Sequence, residues 1–88
     1  MLFKPGSLVA TPAAINYLIE HSLSPIELIN RHLKGDWGDL CTVDKKSNDD
    51  AVVNGSRIIS AYIVGVEKLY VITEWDRSHT TVLLASEY

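Results

Sequence analysis

Between Arg57 and Ala85 the chain carries three apolar runs that alternate with a period of two and are separated by short polar breaks. Such a pattern does not settle as a helix, because a period of two spreads the apolar groups around a helical surface. It predicts three strands. Arg57 to Val64 is rich in β-branched residues, with Ile59, Ala61 and Ile63 on one face and Ile58, Ser60 and Tyr62 on the other. Gly65-Val66-Glu67-Lys68 reads as a turn, and Leu69 to Trp75 alternates again, with Leu69, Val71, Thr73 and Trp75 facing opposite to Tyr70, Ile72 and Glu74. Asp76-Arg77-Ser78-His79 reverses the chain into Thr80 to Ala85. Consecutive strands with short breaks predict an antiparallel meander.

The first third follows helical grammar. Gly6-Ser7-Leu8-Val9-Ala10 reads as an extended piece leading into Thr11-Pro12, where Thr11 caps free amides and Pro12 needs no bonded N–H. Ala14, Ile15, Leu18 and Ile19 then recur at helical spacing, predicting a buried stripe. Ser24-Pro25-Ile26-Glu27 is a capping box, with Leu23 and Leu28 placed as a hydrophobic staple, and it opens a second helix over about residues 25–34. Ile26, Ile29 and Leu33 share one face of it, and Lys34-Gly35 is a suitable end. Ser47 to Gly55 repeats the pattern on a smaller scale and predicts a two-turn helix at about 48–54. The fold class expected is α+β: two or three short N-terminal helices packed on a three-stranded antiparallel meander, with a short extra N-terminal strand as an option.

Length and charge narrow the function classes. With 88 residues, 47% of them apolar, the chain 1–88 has room for one small domain and no second core. A domain of this size buries about 60–65% of its unfolded surface, which keeps dimerisation open as a source of added stability. Cys41 is the sole cysteine, so no intramolecular disulfide or cysteine-rich zinc cluster forms from this chain, and a reducing, cytoplasmic setting is expected. Met1-Leu2-Phe3-Lys4-Pro5-Gly6 has no basic stretch feeding an apolar one, and no apolar run approaches the roughly 20 residues of a membrane span. No membrane association is expected. The net charge of −3, with the acidic surplus in residues 35–56, disfavours nucleic acid as a partner.

The densest group of reactive side chains is Glu74-Trp75-Asp76-Arg77-Ser78-His79-Thr80-Thr81 at the second hairpin. A carboxylate can orient an imidazole, and an Arg can hold a phosphate, so Glu74, Arg77 and His79 are the catalytic candidates. The structural alternative is as concrete: Asp76 and Ser78 open a turn by bonding backbone amides, Arg77 points to solvent from the tip, and Glu74 pairs with Arg57 across the strands. A second candidate is Gly35-Asp36-Trp37-Gly38-Asp39, in which Trp37 is either a lid over the sheet or an anchor for a partner, flanked by Asp36 and Asp39.

Metal and cofactor chemistry find little support. Asp36, Asp39 and Asp44 lack the spacing of a calcium loop, and His21, His32 and His79 have no pair at helical ligand spacing. His32, near the end of the second helix, reads as a local stabiliser where a cation is favoured, and Cys41 reads as a buried inert thiol. Phosphate-loop, dinucleotide-turn and nucleophile-elbow motifs are missing, so no cofactor is expected. A helix-turn-helix reading of the first two helices is weak: only Asn30, Arg31 and Lys34 face a groove, and Glu27 would meet phosphates.

Several segments together resemble one family. Val9-Ala10-Thr11-Pro12-Ala13-Ala14, Arg31-His32 with Gly35-Asp36-Trp37-Gly38, Gly55-x-Arg57-Ile58-x-Ser60-x-Tyr62, Val71-Ile72-Thr73-Glu74-x-Asp76-Arg77-Ser78-x-Thr80-Thr81-x-Leu83-Leu84 and Glu87-Tyr88 look like small bacterial proteins carried on plasmids and integrative elements, commonly labelled plasmid-related. The family pattern often has Gly where Ala13 stands and Pro where Ala85 stands. The resemblance implies at most an accessory role on a mobile element.

The first functional expectation is a noncatalytic accessory or interaction protein that binds another macromolecule, a protein partner or a second copy, through Trp37, Asp36, Asp39, Asp76 and Arg77. The edge strand and the uncovered sheet face supply the surface. The alternative is a small nucleic-acid-processing enzyme using Glu74, Arg77 and His79.

Overall fold

The computed structural model describes residues 1–88 as β1 (Ser7–Ala10), α1 (Pro12–Glu20), α2 (Pro25–Leu33), α3 (Thr42–Asn54), β2 (Ile58–Val64), β3 (Glu67–Thr73) and β4 (His79–Leu84), followed by a 3-10 turn at Ala85–Glu87. The predicted meander is present: β2 pairs with β3 and β3 with β4, both antiparallel. The optional N-terminal strand is real and joins β4 in parallel, giving a mixed sheet of order β1-β4-β3-β2. Helices cover one face of it, as an α+β chain of this length requires.

Alternation decides which side chains meet the helices. Ser60 and Tyr62 of β2, Leu69 and Val71 of β3 and Val82 of β4 share the inner face, and Ala14 and Leu18 of α1 with Leu28 and Ile29 of α2 pack onto it. Each fully buried aliphatic side chain in this layer stabilises the fold by about 1.5–3 kcal/mol. A second cluster, Phe3, Trp37, Ala51 and Ile58, joins α3 and the N-terminal segment to the start of β2.

Local signals hold at most element ends. Thr11 Oγ1 accepts the Ala14 amide at 3.1 Å, and the Ser24 amide donates to Glu27 Oε2 at 2.9 Å. Gly65-Val66 alone joins β2 to β3, with positive φ at Gly65, which suits a type II′ hairpin. Tyr17 locks that hairpin from α1: its hydroxyl donates to the Val64 carbonyl and accepts the Glu67 amide.

Five expectations need correction. Ile15 and Ile19 are 36% and 64% exposed, and the buried stripe of α1 is Ala14 and Leu18 flanked by Tyr17. Ile26, at 46% exposed, likewise falls outside the core that Ile29 joins. Helix α3 begins at Thr42, not near 48, because Cys41 caps it in extended conformation and Ser47 lies inside it. Asn48 and Ala51 are its buried residues, so it has almost no apolar periodicity to read. Cys41 is exposed rather than buried. His32 is not a cation at a helix end: it is fully buried and neutral, for reasons given below.

Candidate functional site

The two edges of the sheet are built differently. Along the outer side of β2, Ile59, Ala61 and Ile63 point their backbone groups away from β3, and all of these groups except the Ile63 carbonyl find a partner. Asn48 takes Ile59 with both ends of its amide: Nδ2 donates to the Ile59 carbonyl at 2.7 Å and Oδ1 accepts the Ile59 amide at 3.2 Å. The Ala61 amide donates to the Trp37 carbonyl, and the Ala61 carbonyl accepts the Asp39 amide at 2.6 Å. Asp39 Oδ2 then accepts the Ile63 amide at 2.8 Å. A side-chain amide, a two-residue strand mimic and a carboxylate thus close this edge against further pairing. Gly38 permits the approach, since its φ is positive and a Cβ would collide with the Ala61 carbonyl.

The β1 edge has no such cover. The ladder to β4 uses alternate residues: the Ser7 amide donates to the Ser78 carbonyl and the Thr11 amide to the Val82 carbonyl, both at 3.0 Å. In a parallel ladder of this phase, Leu8 and Ala10 direct their amides and carbonyls away from the sheet. Leu8 and Val9 are 49% and 46% exposed, and Ser7–Ala10 contains no charged residue or proline to discourage pairing. Beside this edge lies a mainly apolar groove of about 270 Å³ between β1 and the start of α2, lined by Leu8, Val9, Ala10, Ser24, Pro25, Ile26 and Ile29. The exposure of Ile26, anomalous for the core, is explained by this groove.

No family model, curated protein or solved structure matches the chain. The arrangement of its own residues therefore carries the reading.

The hairpin residues do not converge. Glu74 Oε2 lies 3.6 Å from Arg57 Nε, the cross-strand pairing expected as the structural alternative. Arg77 is turned the other way, at positive φ, and is not solvated at a tip. Its Nη1 donates to the Ser56 and Glu74 carbonyls and its Nη2 to the Ala51 carbonyl, while its guanidinium lies 5.6 Å from the Phe3 ring centroid. Arg77 thereby serves the C-terminal carbonyls of α3, where a cation is favoured. His79 Nδ1 is hydrogen-bonded to Ser78 Oγ at 2.9 Å. Three side chains with three separate partners leave no shared point for a reacting atom.

The residues expected to bind a partner are largely engaged within the fold. Trp37 is 4% exposed, packs near Phe3 and His32, and donates from Nε1 to Asp49 Oδ1 at 2.9 Å, so it is a core lid and offers no ring to a partner. Asp36 accepts from Arg31 Nε at 2.7 Å and from the Gly38 amide, and the Arg31 hydrogen bond holds its carboxyl below the usual carboxylate range. The same bond raises the Arg31 guanidinium. Asp39 closes the β2 edge, and Arg77 serves α3. Asp76 remains at the surface, accepting the Ser78 amide; hydrogen bonding to Ser78 lowers its carboxyl.

One polar group is wholly internal. His32 Nδ1 lies 2.5 Å from Ser60 Oγ and Nε2 lies 2.9 Å from Thr73 Oγ1, and all three residues are fully buried. Thr73 Oγ1 meets Thr80 Oγ1 at 2.7 Å, and Thr80 donates to the Pro5 carbonyl at 2.8 Å. Because that carbonyl only accepts, Thr80 must accept from Thr73, Thr73 from Nε2–H of His32, and Nδ1 must accept from Ser60. Burial pushes the imidazole down to about 4, with a further contribution from the Arg77 charge. Despite the Ser–His contact, no substrate reaches atoms at zero exposure, and the chain of bonds is structural. Tyr62 is also buried, which raises its phenol to about 12, and its hydroxyl donates to the Asp36 carbonyl.

An edge strand is expected as a binding surface, but neither which edge is open nor the groove beside it is legible in the sequence. The signal that could have found them is a strand-like run, Ser7–Ala10, without a charge, just ahead of a capped helix. No group of His, Cys, Asp and Glu side chains is placed to hold a metal ion, and no helix is long and apolar enough to cross a membrane.

Proposed function

We propose that the chain is a noncatalytic interaction protein that binds an extended segment of a partner protein as a fifth strand along β1. The contrast between a closed β2 edge and an open β1 edge carries this reading. Leu8 and Ala10 supply the outward backbone donors and acceptors of strand addition, which contribute affinity without regard to sequence. The groove between β1 and α2 supplies selectivity, because every second side chain of an added strand points to one face, and there Pro25, Ile26 and Ile29 favour an apolar one.

A mobile-element setting rests on the motif resemblance described above, and a cytoplasmic one on the single exposed cysteine. The enzyme alternative has no geometric support of its own, since Glu74, Arg77 and His79 serve different partners.

The test separates the backbone from the side chain at position 8. Leu8→Pro deletes one outward amide while the β4 ladder, which uses residues 7, 9 and 11, stays intact; Leu8→Ala keeps the amide. Peptides selected from a random displayed library should shift amide resonances of residues 8–10 and 25–29, bind Leu8→Ala, and lose at least tenfold in affinity on Leu8→Pro. Equal binding by Leu8→Pro, or shifts confined to another surface, would overturn the reading. Sedimentation of the wild type as a dimer and of Leu8→Pro as a monomer would identify the added strand as β1 of a second copy.

A further inference from the structure

The uncovered face of the sheet carries a second cavity, of about 330 Å³, bounded by Leu40, Asp44 and Ser47 on one side and by Arg57, Tyr70 and Tyr88 on the other, with Ile59 and Asn48 completing the lining. It is separate from the β1 groove and shares no residue with it. Its volume lies at the lower end of the range for small-molecule sites, about 300–1,000 Å³, which suits a ligand of metabolite size.

The polar groups around this cavity differ from those elsewhere in the fold. Asn48 is fully engaged with Ile59, but Ser47, Arg57, Tyr70 and Tyr88 make no side-chain hydrogen bond within the protein. Arg57 is nevertheless held in place: Glu74 lies 3.6 Å from its Nε, and its guanidinium carbon lies 5.4 Å from the Tyr88 ring centroid. Glu74 stands at Nε, and neither Nη group makes a hydrogen bond within the protein, so both remain for a forked contact with a carboxylate. Tyr70 meets Tyr88 edge to face at 5.5 Å and 74°, forming an aromatic wall beside it. Asp44 also lines the cavity and forms no ion pair.

A cation and a carboxylate lining one cavity without joining each other match a ligand bearing both opposite charges. We infer that this cavity binds a small zwitterion of the α-amino acid class, with the carboxylate on Arg57, the ammonium group on Asp44 and an apolar side chain against Tyr70, Tyr88, Leu40 and Ile59. A simple anion would face Asp44 unfavourably, and a simple cation would face Arg57. Occupancy would place the ligand against β2, β3 and the N-terminal half of α3, remote from the edge that takes the partner strand.

Titration of the intact chain with L-phenylalanine and L-leucine, followed by amide and tyrosine resonances, tests this directly. Saturable shifts are expected at residues 40, 44, 47, 57, 70 and 88. Phenylalaninamide, which lacks the carboxylate, and N-acetylphenylalanine, which lacks the ammonium group, should each bind at least tenfold more weakly. In Arg57→Gln the preference for acid over amide should vanish, and in Asp44→Asn the preference for the free over the acetylated amine should vanish. Both residues are surface-facing, and unchanged resonances elsewhere report that the variants are folded. Absence of saturable shifts with either amino acid, or equal binding of all four compounds, would overturn the inference. Neither result bears on strand addition at β1.

Discussion

His32 donates from Nε2 to Thr73 Oγ1 at 2.9 Å across the interface between α2 and the centre of the sheet. The imidazole is completely buried and its other nitrogen accepts from Ser60, so a second proton would bring a charge with neither solvent nor a carboxylate to balance it, close to the Arg77 guanidinium. The core therefore requires a neutral imidazole.

Stability should consequently depend on pH in a defined window. The folded imidazole is lowered from 6.5 to about 4, so the unfolded chain binds the extra proton first. The contribution is complete above about pH 6.5, declines as pH falls toward 4 and is exhausted below that. Its size, from the shift at about 1.4 kcal/mol for each pH unit, is about 3 kcal/mol. Urea unfolding between pH 7 and pH 4 measures it. His32→Leu should remove that part of the slope while leaving the Ser60 hydroxyl without its acceptor, at about 1–3 kcal/mol at neutral pH, whereas Thr73 keeps its bond to Thr80.

Arg77 is a structural clasp, and its variants should rank in a way that a solvated tip residue would not show. Arg77→Ala loses the bonds to Ala51, Ser56 and Glu74 and keeps a side chain at positive φ, so a loss of about 2–3 kcal/mol is expected. Arg77→Gly loses the same bonds and relieves the backbone, so it should be less destabilised than alanine by about 1 kcal/mol. Parallel denaturant titrations rank the two.

The closed edge depends on Asn48 presenting a donor and an acceptor together. Asn48→Asp keeps the acceptor for the Ile59 amide but sets a carboxylate against the Ile59 carbonyl, and Asn48→Ala leaves both groups without a partner. Each should destabilise by about 1–3 kcal/mol, and Asn48→Ala should accelerate hydrogen exchange of the Ile59 amide. Asp39→Asn retains an acceptor for Ile63, whereas Asp39→Ala should accelerate exchange there without affecting Leu69 or Val71.

The two tryptophans report separate surfaces. Trp37 is 4% exposed and Trp75 is 68% exposed. Trp75→Phe should leave a blue-shifted emission poorly quenched by acrylamide, with stability within about 0.5 kcal/mol of the wild type. Trp37→Phe should leave a red-shifted, readily quenched emission and lose about 1 kcal/mol with the Asp49 hydrogen bond. Readily quenched emission from Trp75→Phe would contradict the buried position of Trp37.

Period-two alternation in residues 57–85, the Thr11-Pro12 and Ser24-Pro25 helix starts and the Asn54-Gly55 helix end are local effects, and the sequence alone determined the meander and the first two helices through them. It also determined the Arg57–Glu74 pair, because strand alternation sets which side chains share a face. What required the tertiary structure were the long-range choices. Nothing local says that β1 lies parallel to β4, that an asparagine of α3 pairs with a strand edge, or that Arg77 folds back onto a helix 26 residues earlier. Cys41, Ile19, Ile26 and His32 have polarities that predict exposure or burial only on average, and packing placed each against that average. The open edge is of the same kind: a free amide at Leu8 looks the same in sequence as a paired one, and only the arrangement of neighbouring strands distinguishes them.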